Sequence, residues 1–320
     1  MSRKLKSYGL FIVLLILLSI LAYLLKNLKT DNAKVSSSNS LSALHDAQYY
    51  NELGNSLMRK EDFSGSVDAF NKSIELSKNT KYFYVAYTGR AHTKFNMNDC
   101  DGTIEDAKMA LSGDSKIWDM YTLAGICEFE KRNFKDSIQY LTTAISLIDK
   151  NNKDSWRNYA YRAASEISIN DIENAKKDLY IALKLNNNSF FIYECLYRLY
   201  MNNNIKDYKI AAEYFEKRMQ YPEGIDYTFF EDGSLIYMGL YDLEKQGGNP
   251  VKMEQYRKLA LKNANKAYVL KPSAETAYSL CLTKASLEEK DAMQTCREAL
   301  TRAGQEKNDK IYKDAYELVH

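Results

Sequence analysis

Small side chains recur at fixed spacings along this chain, and this pattern constrains the possible folds more than any other feature. The first column of small residues consists of Gly54, Ala91, Gly125 and Ala163. Twelve residues further on lie Ser66, Thr103, Ser137 and Ala175, and nineteen further on lie Ser73, Ala110, Ala144 and Ala182. A tyrosine precedes each member of the first column by four residues, at Tyr50, Tyr87, Tyr121 and Tyr159. The spacings of 37, 34 and 38 residues indicate a repeated unit of about 34 residues with short insertions.

Each unit has the apolar spacing of two short helices joined by a polar turn. In residues 118–151, apolar residues recur at helical spacing on both sides of the polar run 130–133. We expect Gly125 to let the second helix of this unit approach closely, because glycine has no side chain. The chain contains only 3 proline and 13 glycine residues among 320, and no strand-like alternation interrupts the helical periods. These features predict an all-α protein.

The repeated pattern resembles that of the tetratricopeptide repeat (TPR) family. The dipeptides that carry the resemblance are Leu53-Gly54, Ala124-Gly125, Ala110-Leu111 and Ala182-Leu183. The resemblance implies a superhelical solenoid of antiparallel helix pairs over residues 45–305, clear over about 47–190 and divergent over 192–305. In the divergent part, Arg218 stands where the family has a small side chain. Residues 306–320 are predicted to form a C-terminal capping helix.

The N-terminal residues predict a single-pass membrane anchor. Residues 9–25 form an uncharged apolar run of 17 residues, preceded by a short basic tail at residues 1–8. Such a run is a transmembrane helix or the core of a signal peptide, and the lack of a small-residue cleavage site directly after it favours an uncleaved signal anchor. Residues 26–44 are rich in Ser, Asn and Lys and predict a flexible linker. The basic tail favours an N-terminus inside, with the bulk of the chain periplasmic or extracytoplasmic.

The charged and nucleophilic residues give no indication of a catalytic or cofactor-binding role. The formal net charge is only +2, so no strong positive field favours nucleic acid. The three histidines lie in separate segments, and the common phosphate-binding and acyl-transfer motifs do not occur. Residues 98–106 contain the core of a calcium loop, but Met97 and Lys108 stand at two required ligand positions. We therefore expect no metal, no cofactor and no enzymatic activity.

The five cysteines are scattered through helical patterns, at Cys100, Cys127, Cys195, Cys281 and Cys296. This arrangement has neither the spacing of a disulfide framework nor that of a zinc site. We expect these residues to be small buried apolar side chains.

The resemblance to the TPR family also predicts a binding surface, since the first helix of each unit lines a concave groove in that family. Carried over to this chain, the groove residues are Asn51, Asn55, Met58, Thr88, His92, Phe95, Thr122, Ile126, Phe129 and Ile167. The large apolar members would offer a stripe to an amphipathic helix or an extended apolar segment of a partner. The same residues fit equally well with packing between neighbouring repeats, so both interpretations stay open.

The sequence as a whole favours a membrane-anchored TPR-like scaffold or adaptor. It would bind protein or peptide partners and act as an assembly or chaperone-like factor at the membrane. The alternative is an enzyme, or a dedicated enzyme subunit, with a pocket in the divergent region 192–271. Lys258, Lys262 and Lys266 form a basic stripe, for which a solvated helix face is favoured over a docking site for acidic partners or lipid headgroups.

Overall fold

The computed structural model describes residues 44–78, 81–149 and 152–319, which form helices connected by short turns. The described part of the first helix, α1, covers residues 44–59. The helices that follow are α2 (Phe63–Leu76), α3 (Lys81–Asn96), α4 (Cys100–Gly113), α5 (Trp118–Glu130), α6 (Phe134–Leu147), α7 (Trp156–Ser168), α8 (Ile172–Leu185), α9 (Phe190–Met201), α10 (Tyr208–Met219), α11 (Tyr227–Gly247), α12 (Pro250–Leu270), α13 (Ala274–Ser286), α14 (Ala292–Gln305) and α15 (Asp309–Val319). A short 3-10 helix, Lys153–Ser155, precedes α7. These residues contain no strand, so the prediction of an all-α fold is confirmed for them.

The chain divides into two compact units, one ending at Ile148 and the other beginning at Asp149. In the first unit α3 packs with α4 and α5 with α6. In the second unit the corresponding pairs are α7 with α8, α9 with α10, α11 with α12 and α13 with α14, and α15 packs on α14. The division between the units does not coincide with the change from clear to divergent repeats that the sequence indicates near residue 190.

The turn inside each of four successive helix pairs has the same backbone geometry. One residue of each turn has the left-handed backbone conformation: in chain order these are Glu61 (φ 62°), Asn98 (φ 59°), Arg132 (φ 62°) and Asn170 (φ 65°). The N–H of the next residue then bonds back to the first helix, as Asn133 does to the carbonyl of Glu128 at 2.8 Å. In two of these turns an aspartate also caps the second helix, as Asp62 does for the N–H of Gly65. This arrangement ends one helix and begins the next within three residues.

The three columns of small residues lie in the interior of the helix pairs, where all twelve members are buried. Gly125 lies against Leu141 of α6, and a Cβ atom at this glycine would be 2.6 Å from Leu141 Cγ. Gly54 of α1 and Gly89 of α3 both lie against the ring of Phe70. A Cβ atom would be 2.9 Å from the nearest ring atom at Gly54 and 2.3 Å from it at Gly89. Small residues therefore set the close approach of the helices, as the repeated pattern predicts.

Arg218 fits into the divergent part of the fold although it replaces a small residue. Its side chain is fully buried. The guanidinium lies between the rings of Phe190 and Phe229, 4.7 and 5.4 Å from their centroids. It also donates hydrogen bonds of 2.7 Å to the carbonyl oxygens of Tyr221 and Glu223. The buried charge is tolerated because Glu194 pairs with Nε at 3.3 Å, the turn after α10 accepts two more hydrogen bonds, and two rings enclose the guanidinium.

Two cysteines form a disulfide bond, which corrects the expectation that all five are unpaired apolar residues. Cys281 of α13 and Cys296 of α14 are bonded, and their Cα atoms are 4.8 Å apart. Cys127 and Cys195 are buried free thiols, and Cys100 is a half-buried one. The spacing along the sequence did not reveal the bond, because the contact between α13 and α14 depends on how the two helices pack.

The described residues contain no helix that is both long enough and apolar enough to cross a membrane. The predicted anchor at residues 9–25 lies outside the described residues, as do the basic tail at residues 1–8 and the predicted linker up to residue 43.

Candidate protein-binding surfaces

The residues predicted to line a groove lie on the first helices of the pairs. Nine of them belong to the first unit, and we call these the first-unit row: Asn51, Asn55 and Met58 on α1, Thr88, His92 and Phe95 on α3, and Thr122, Ile126 and Phe129 on α5. The tenth, Ile167, lies on α7 in the second unit and is half-buried. Asn51, Thr122 and Ile126 are buried, with 7, 7 and 5% exposure, and the other six members of the row are half-buried. A partner would therefore reach only those six side chains.

Several side chains of the first-unit row are already engaged within the unit. His92 Nε2 lies 3.0 Å from Asp119 Oδ2 and so joins α3 to α5. Phe95 packs against the hydrophobic core cluster of this unit. The Phe129 ring lies 6.0 Å from the Phe134 ring between centroids. Both phenylalanines thus contribute to packing while part of each side chain stays accessible.

The second unit contains a surface groove between the end of α9 and one face of α11. Its larger part has a volume of about 480 Å³ and is lined by Met201, Asn203, Lys206, Tyr208, Leu235, Met238, Gly239, Asp242, Leu243 and Gln246. Its smaller part, of about 340 Å³, is lined by Arg198, Met201, Asn202, Asn203, Thr228 and Asp232. Met201 and Asn203 line both parts, and we call the two together the α9–α11 groove.

The α9–α11 groove results from a difference in helix length. Helix α11 has 21 residues, whereas α9 has 12, so the C-terminal half of α11 lies beside the turn that follows α9. In this turn Lys206 has a φ of 47°, and the N–H of Asp207 donates to the carbonyl of Tyr200 at 2.9 Å. Gly239 lets the Tyr208 ring lie against α11, since a Cβ atom there would be 2.4 Å from the ring. The turn and the glycine together shape the larger part of the groove.

The larger part of the α9–α11 groove is lined about equally by apolar and polar groups, and its apolar side chains include two exposed leucines. Leu235 is 52% exposed and Leu243 is 42% exposed, and the two methionines beside them are half-buried. Lys206 and Asp242 supply one charge of each sign among the lining residues. Exposed leucines in a depression are suited to an apolar segment of another protein.

The smaller part of the α9–α11 groove is charged, but its charges are paired within the protein. Asp232 accepts a hydrogen bond from the Tyr197 hydroxyl at 3.0 Å and one from Arg198 Nε at 3.3 Å. Arg198 also pairs with Glu194 at 3.3 Å. Burial raises the pKa of Asp232, and the nearby Arg198 opposes this shift. The carboxylate therefore joins α9 to α11 through one oxygen, Oδ2, which accepts both hydrogen bonds.

The described residues contain no group of three or more His, Cys, Asp or Glu side chains arranged to hold a metal ion. In the segment 98–106, Asp99 accepts a hydrogen bond of 2.9 Å from the N–H of Gly102 and so caps α4. Asp101 forms an ion pair with Lys131 at the surface. The two aspartates are thus engaged in a helix cap and a surface ion pair.

The α9–α11 groove was not predicted from the sequence, although the sequence contains one signal for it. Leu235, Gly239, Asp242 and Gln246 recur at the spacing of one helix face. A stripe of this kind in a helical repeat is more often part of the core, and the small-residue columns that define the register are weak in this region. Only the relative lengths of α9 and α11 show that the stripe lines a depression.

Solved structures that share the fold of this chain include the following three. PilF from Pseudomonas aeruginosa superposes with a TM-score of 0.57 at 16% identity, over 73% of this chain and 96% of that one. A tetratricopeptide repeat protein from Parabacteroides merdae gives a TM-score of 0.53 at 14% identity, over 85% and 99% of the two chains. PilW, described as a widely conserved type IV pilus biogenesis factor, superposes with a TM-score of 0.52 at 17% identity, over 66% of this chain and 90% of that one. The chain therefore has the tetratricopeptide-repeat fold.

A curated relative also contains this repeat. The small glutamine-rich tetratricopeptide repeat-containing protein 2 of Mycosarcoma maydis is 27% identical over 86 residues, which make up 27% of this chain. The match spans only 24% of the length of that relative. No family model matches the chain. The comparisons thus define the class of fold, and the partner has to be inferred from the surfaces.

Proposed function

We propose that this protein is a scaffold that binds a protein partner in the α9–α11 groove. The observation that carries the proposal is the pair of exposed leucines, Leu235 and Leu243, in a depression of about 480 Å³. Met201 and Met238 lie beside them, and their flexible side chains can adjust to different apolar residues. An amphipathic helix or an extended apolar segment of a partner is the occupant that this lining fits.

The first-unit row is the second contact surface that we propose. Its half-buried apolar members, Met58, Phe95 and Phe129, would contact the partner directly. Asn51 and Ile126 would support this surface from beneath, because they are buried. Thr122 and the second-unit residue Ile167 belong to the same proposed set, Thr122 as a buried support and Ile167 as a half-buried contact within its own unit.

An enzymatic role has less support than a binding role. The divergent region 192–271 contains the α9–α11 groove, as the enzymatic alternative requires. The larger part of the groove is lined by only one carboxylate, Asp242, and one amine, Lys206. The carboxylate of the smaller part, Asp232, is bonded to Tyr197 and Arg198. General acid and base catalysis needs positioned groups that exchange protons with a substrate, whereas binding needs only the apolar lining.

We further propose that residues 9–25 anchor the protein in a membrane, with the bulk of the chain periplasmic or extracytoplasmic. The disulfide between Cys281 and Cys296 supports this side of the membrane, because disulfides form and persist in oxidising compartments. One similar structure is described as a type IV pilus biogenesis factor. An assembly role of that kind suits a tethered scaffold. The net charge of +2 gives no reason to add nucleic acid to the partners.

A photo-crosslinking experiment on the full chain in native membranes tests the binding role. A photoreactive phenylalanine analogue is placed at position 235 or, as a control, at position 251. Leu235 is 52% exposed and Val251 is 77% exposed, but only Leu235 lines the α9–α11 groove. We expect a discrete adduct with a partner from position 235 only, and its loss when Leu243→Asp is added. Equal adducts from both positions, or none from position 235, would contradict the proposal.

The contribution of the first-unit row is tested with the partner identified in this way. The double variant Phe95→Ala with Phe129→Ala should lower capture of that partner while its circular dichroism spectrum stays that of a folded helical protein. Unchanged capture by the folded double variant would remove the row from the binding surface.

A further inference from the structure

The four tyrosines that precede the first small-residue column differ in one respect. In three of the helix pairs a cation lies over the tyrosine ring. The distances to the ring centroid are 5.2 Å for Lys72 over Tyr50, 4.9 Å for Arg90 over Tyr87 and 5.7 Å for Arg162 over Tyr159. Among the contacts of the described residues, no cation lies over Tyr121. The pair formed by α5 and α6 is therefore the exception.

Two of the three cations are arginines from one position of the repeat, whereas the first helix pair has Leu53 at that position and uses Lys72. Arg90 and Arg162 each follow their tyrosine by three residues, and Ala124 stands at the same place after Tyr121. The two arginines also bind a carboxylate sixteen residues further on, with Nε to oxygen distances of 2.8 and 2.6 Å. Sixteen residues after Ala124 the chain has Tyr140. The helix pair α5 and α6 thus lacks both the arginine and the aspartate that receives it.

A cavity of about 300 Å³ lies next to Tyr121. It is lined by Tyr121 and Glu128 of α5, by Asp136, Gln139 and Tyr140 of α6, and by Lys108 of α4. Two aromatic rings and two carboxylates thus border a space in the helix pair that has no arginine of its own. We call this space the Tyr121 pocket.

Glu128 is the buried anion of the Tyr121 pocket. Its side chain is only 8% exposed, and one carboxylate oxygen accepts a hydrogen bond of 2.7 Å from the Asn133 amide. No hydrogen bond to the other oxygen occurs among the contacts of the described residues. Lys108 is exposed and forms no ion pair with either carboxylate of the pocket in the same set of contacts. A carboxylate that is largely removed from bulk water and borders a cavity attracts a cation more strongly than one at an exposed surface.

The surroundings of Tyr140 indicate a negative potential in the same place. Burial raises the pKa of the Tyr140 hydroxyl, and the charges of Glu128 and Asp136 raise it further. Both carboxylates therefore act on the interior of the pocket.

We propose that the Tyr121 pocket binds the arginine side chain of a protein partner. The guanidinium would lie over the Tyr121 ring and donate to Glu128 and Asp136, in the manner in which Arg90 lies over Tyr87 and donates to Asp106. Arginine fits better than lysine because a planar guanidinium can stack on a ring and bind carboxylates with several donors at once. The partner thus supplies from outside the group that two other helix pairs carry within the chain.

The Tyr121 pocket is separate from the first-unit row. On α5, Tyr121 and Glu128 lie seven residues apart and share one side of the helix. They are about 100° around the helix axis from Thr122 and Phe129. A partner could therefore occupy the pocket without contacting the row, and the proposal does not depend on the function proposed for the α9–α11 groove.

The test measures binding of a fluorescein-labelled peptide, Gly-Gly-Arg-Gly-Gly, to the full chain in detergent at low salt by fluorescence anisotropy. Versions with citrulline or lysine in place of arginine serve as ligand controls. We expect the citrulline peptide to bind about tenfold more weakly or worse, because it has lost the charge-assisted hydrogen bonds. Binding of the arginine peptide should also weaken as salt is raised. Equal binding of the arginine peptide and either control peptide would overturn the assignment.

Protein variants locate the site. Glu128→Gln should weaken binding of the arginine peptide about tenfold, since it removes the carboxylate charge and keeps the hydrogen bond to Asn133. Glu130→Gln, two residues away on the exposed surface, should leave affinity within about twofold, as is usual for an exposed charge. If Glu128→Gln melts as the wild type does and binds with unchanged affinity, the pocket is not the site.

A second variant fills the pocket from within. Ala124→Arg with Tyr140→Asp introduces into this helix pair the ion pair that Arg90 and Asp106 form in the preceding one. We expect this double variant to lose peptide binding and to keep its helicity. Binding by this folded variant at the wild-type level would also overturn the proposal. If the double variant does not fold, the comparison of Glu128→Gln with Glu130→Gln decides the question alone.

Discussion

The guanidinium of Arg162 makes two hydrogen bonds to the carboxylate of Asp178, at 2.6 Å from Nε and 2.9 Å from Nη2. Arg90 and Asp106 form the same pair in the first unit, at 2.8 and 2.7 Å. The two carboxylates are buried, with 5% exposure for Asp178 and none for Asp106. In each case the pair joins the two helices of one repeat where other repeats place apolar or aromatic side chains.

The two ion pairs differ in the residue that follows the arginine by four positions. Lys94 lies 3.0 Å from Asp106, so this carboxylate has a second cation. At the matching place in the other pair stands Glu166, 4.0 Å from Arg162 and 6% exposed. One site therefore has an additional positive charge and the other an additional negative charge.

This difference predicts unequal effects of removing the two arginines. Removing one partner of a buried ion pair typically costs about 3 to 5 kcal/mol, because the remaining charge is left uncompensated. We expect Arg162→Ala to destabilise the protein more than Arg90→Ala, since Lys94 still neutralises Asp106. Urea unfolding of the full chain, followed by circular dichroism at pH 8, measures both losses. Equal losses, or a larger one for Arg90→Ala, would show that the neighbouring charges do not matter.

Glu166 should make stability depend on pH in the neutral range. Burial, together with the charge of Asp178, raises the pKa of Glu166 from 4.5 to about 7. The folded state therefore binds this proton more tightly than the unfolded state. The resulting stabilisation is fully present below about pH 4.5 and is lost as pH rises through about 7, with a total of up to about 3 kcal/mol.

The variant Glu166→Gln removes this pH dependence. We expect it to be more stable than the wild type at pH 8 and to approach the wild type in stability as the pH falls to about 5. Glu173→Gln changes an exposed glutamate on α8 and should follow the wild-type profile. Melting temperatures measured across this range test the idea, which fails if the two variants have the same pH profile.

The close contact at Gly125 predicts a loss of stability on adding a side chain. A Cβ atom at Gly125 would lie 2.6 Å from Leu141 Cγ and 3.3 Å from the Leu141 backbone nitrogen. Gly125→Leu should therefore cost about 1 to 3 kcal/mol or more through overpacking. Gly304→Ala is the control, because its nearest contact would be an ordinary 3.5 Å and alanine favours a helix. The melting temperature should fall below that of the wild type for Gly125→Leu and rise above it for Gly304→Ala. An unchanged melting temperature for Gly125→Leu would contradict the repeat register.

The disulfide predicts that the second unit responds to reductant. The bond joins residues separated by 15 positions, and a cross-link of this loop length contributes about 3 kcal/mol. A reducing agent should lower the melting temperature of the wild type. The double variant Cys281→Ser with Cys296→Ser should melt at the lower temperature with or without reductant. A wild-type melt that is insensitive to complete reduction would contradict a stabilising role.

The helix pairs themselves could be predicted from the sequence because their determinants are local. The distance from Gly125 to Ser137 and Ala144 along the chain is set by the helical period and a three-residue turn. Any chain with this spacing brings those small residues to the same contact. The structure accordingly buries them and places Leu141 against the glycine.

The candidate sites could be predicted only in part. Resemblance to the TPR family pointed to the first helices as a binding face, but it did not show that Ile126 is buried while Phe95 keeps an accessible part. It also gave no indication of the groove at Leu235, because that site requires α11 to be longer than α9. The Tyr121 pocket depends on which side chains of α4, α5 and α6 come together around one of four equivalent tyrosines.

The sequence by itself determined the helical repeat, its register and the places where helices come close, since a periodic pattern records which face of each helix is apolar. The tertiary structure decided which groups meet across different helices. It paired Cys281 with Cys296, enclosed Arg218 between two rings, and left Glu128 beside a cavity. These meetings depend on the offsets between packed helices. Each offset depends on many packing contacts between separate segments, so it cannot be predicted from any single segment of the chain.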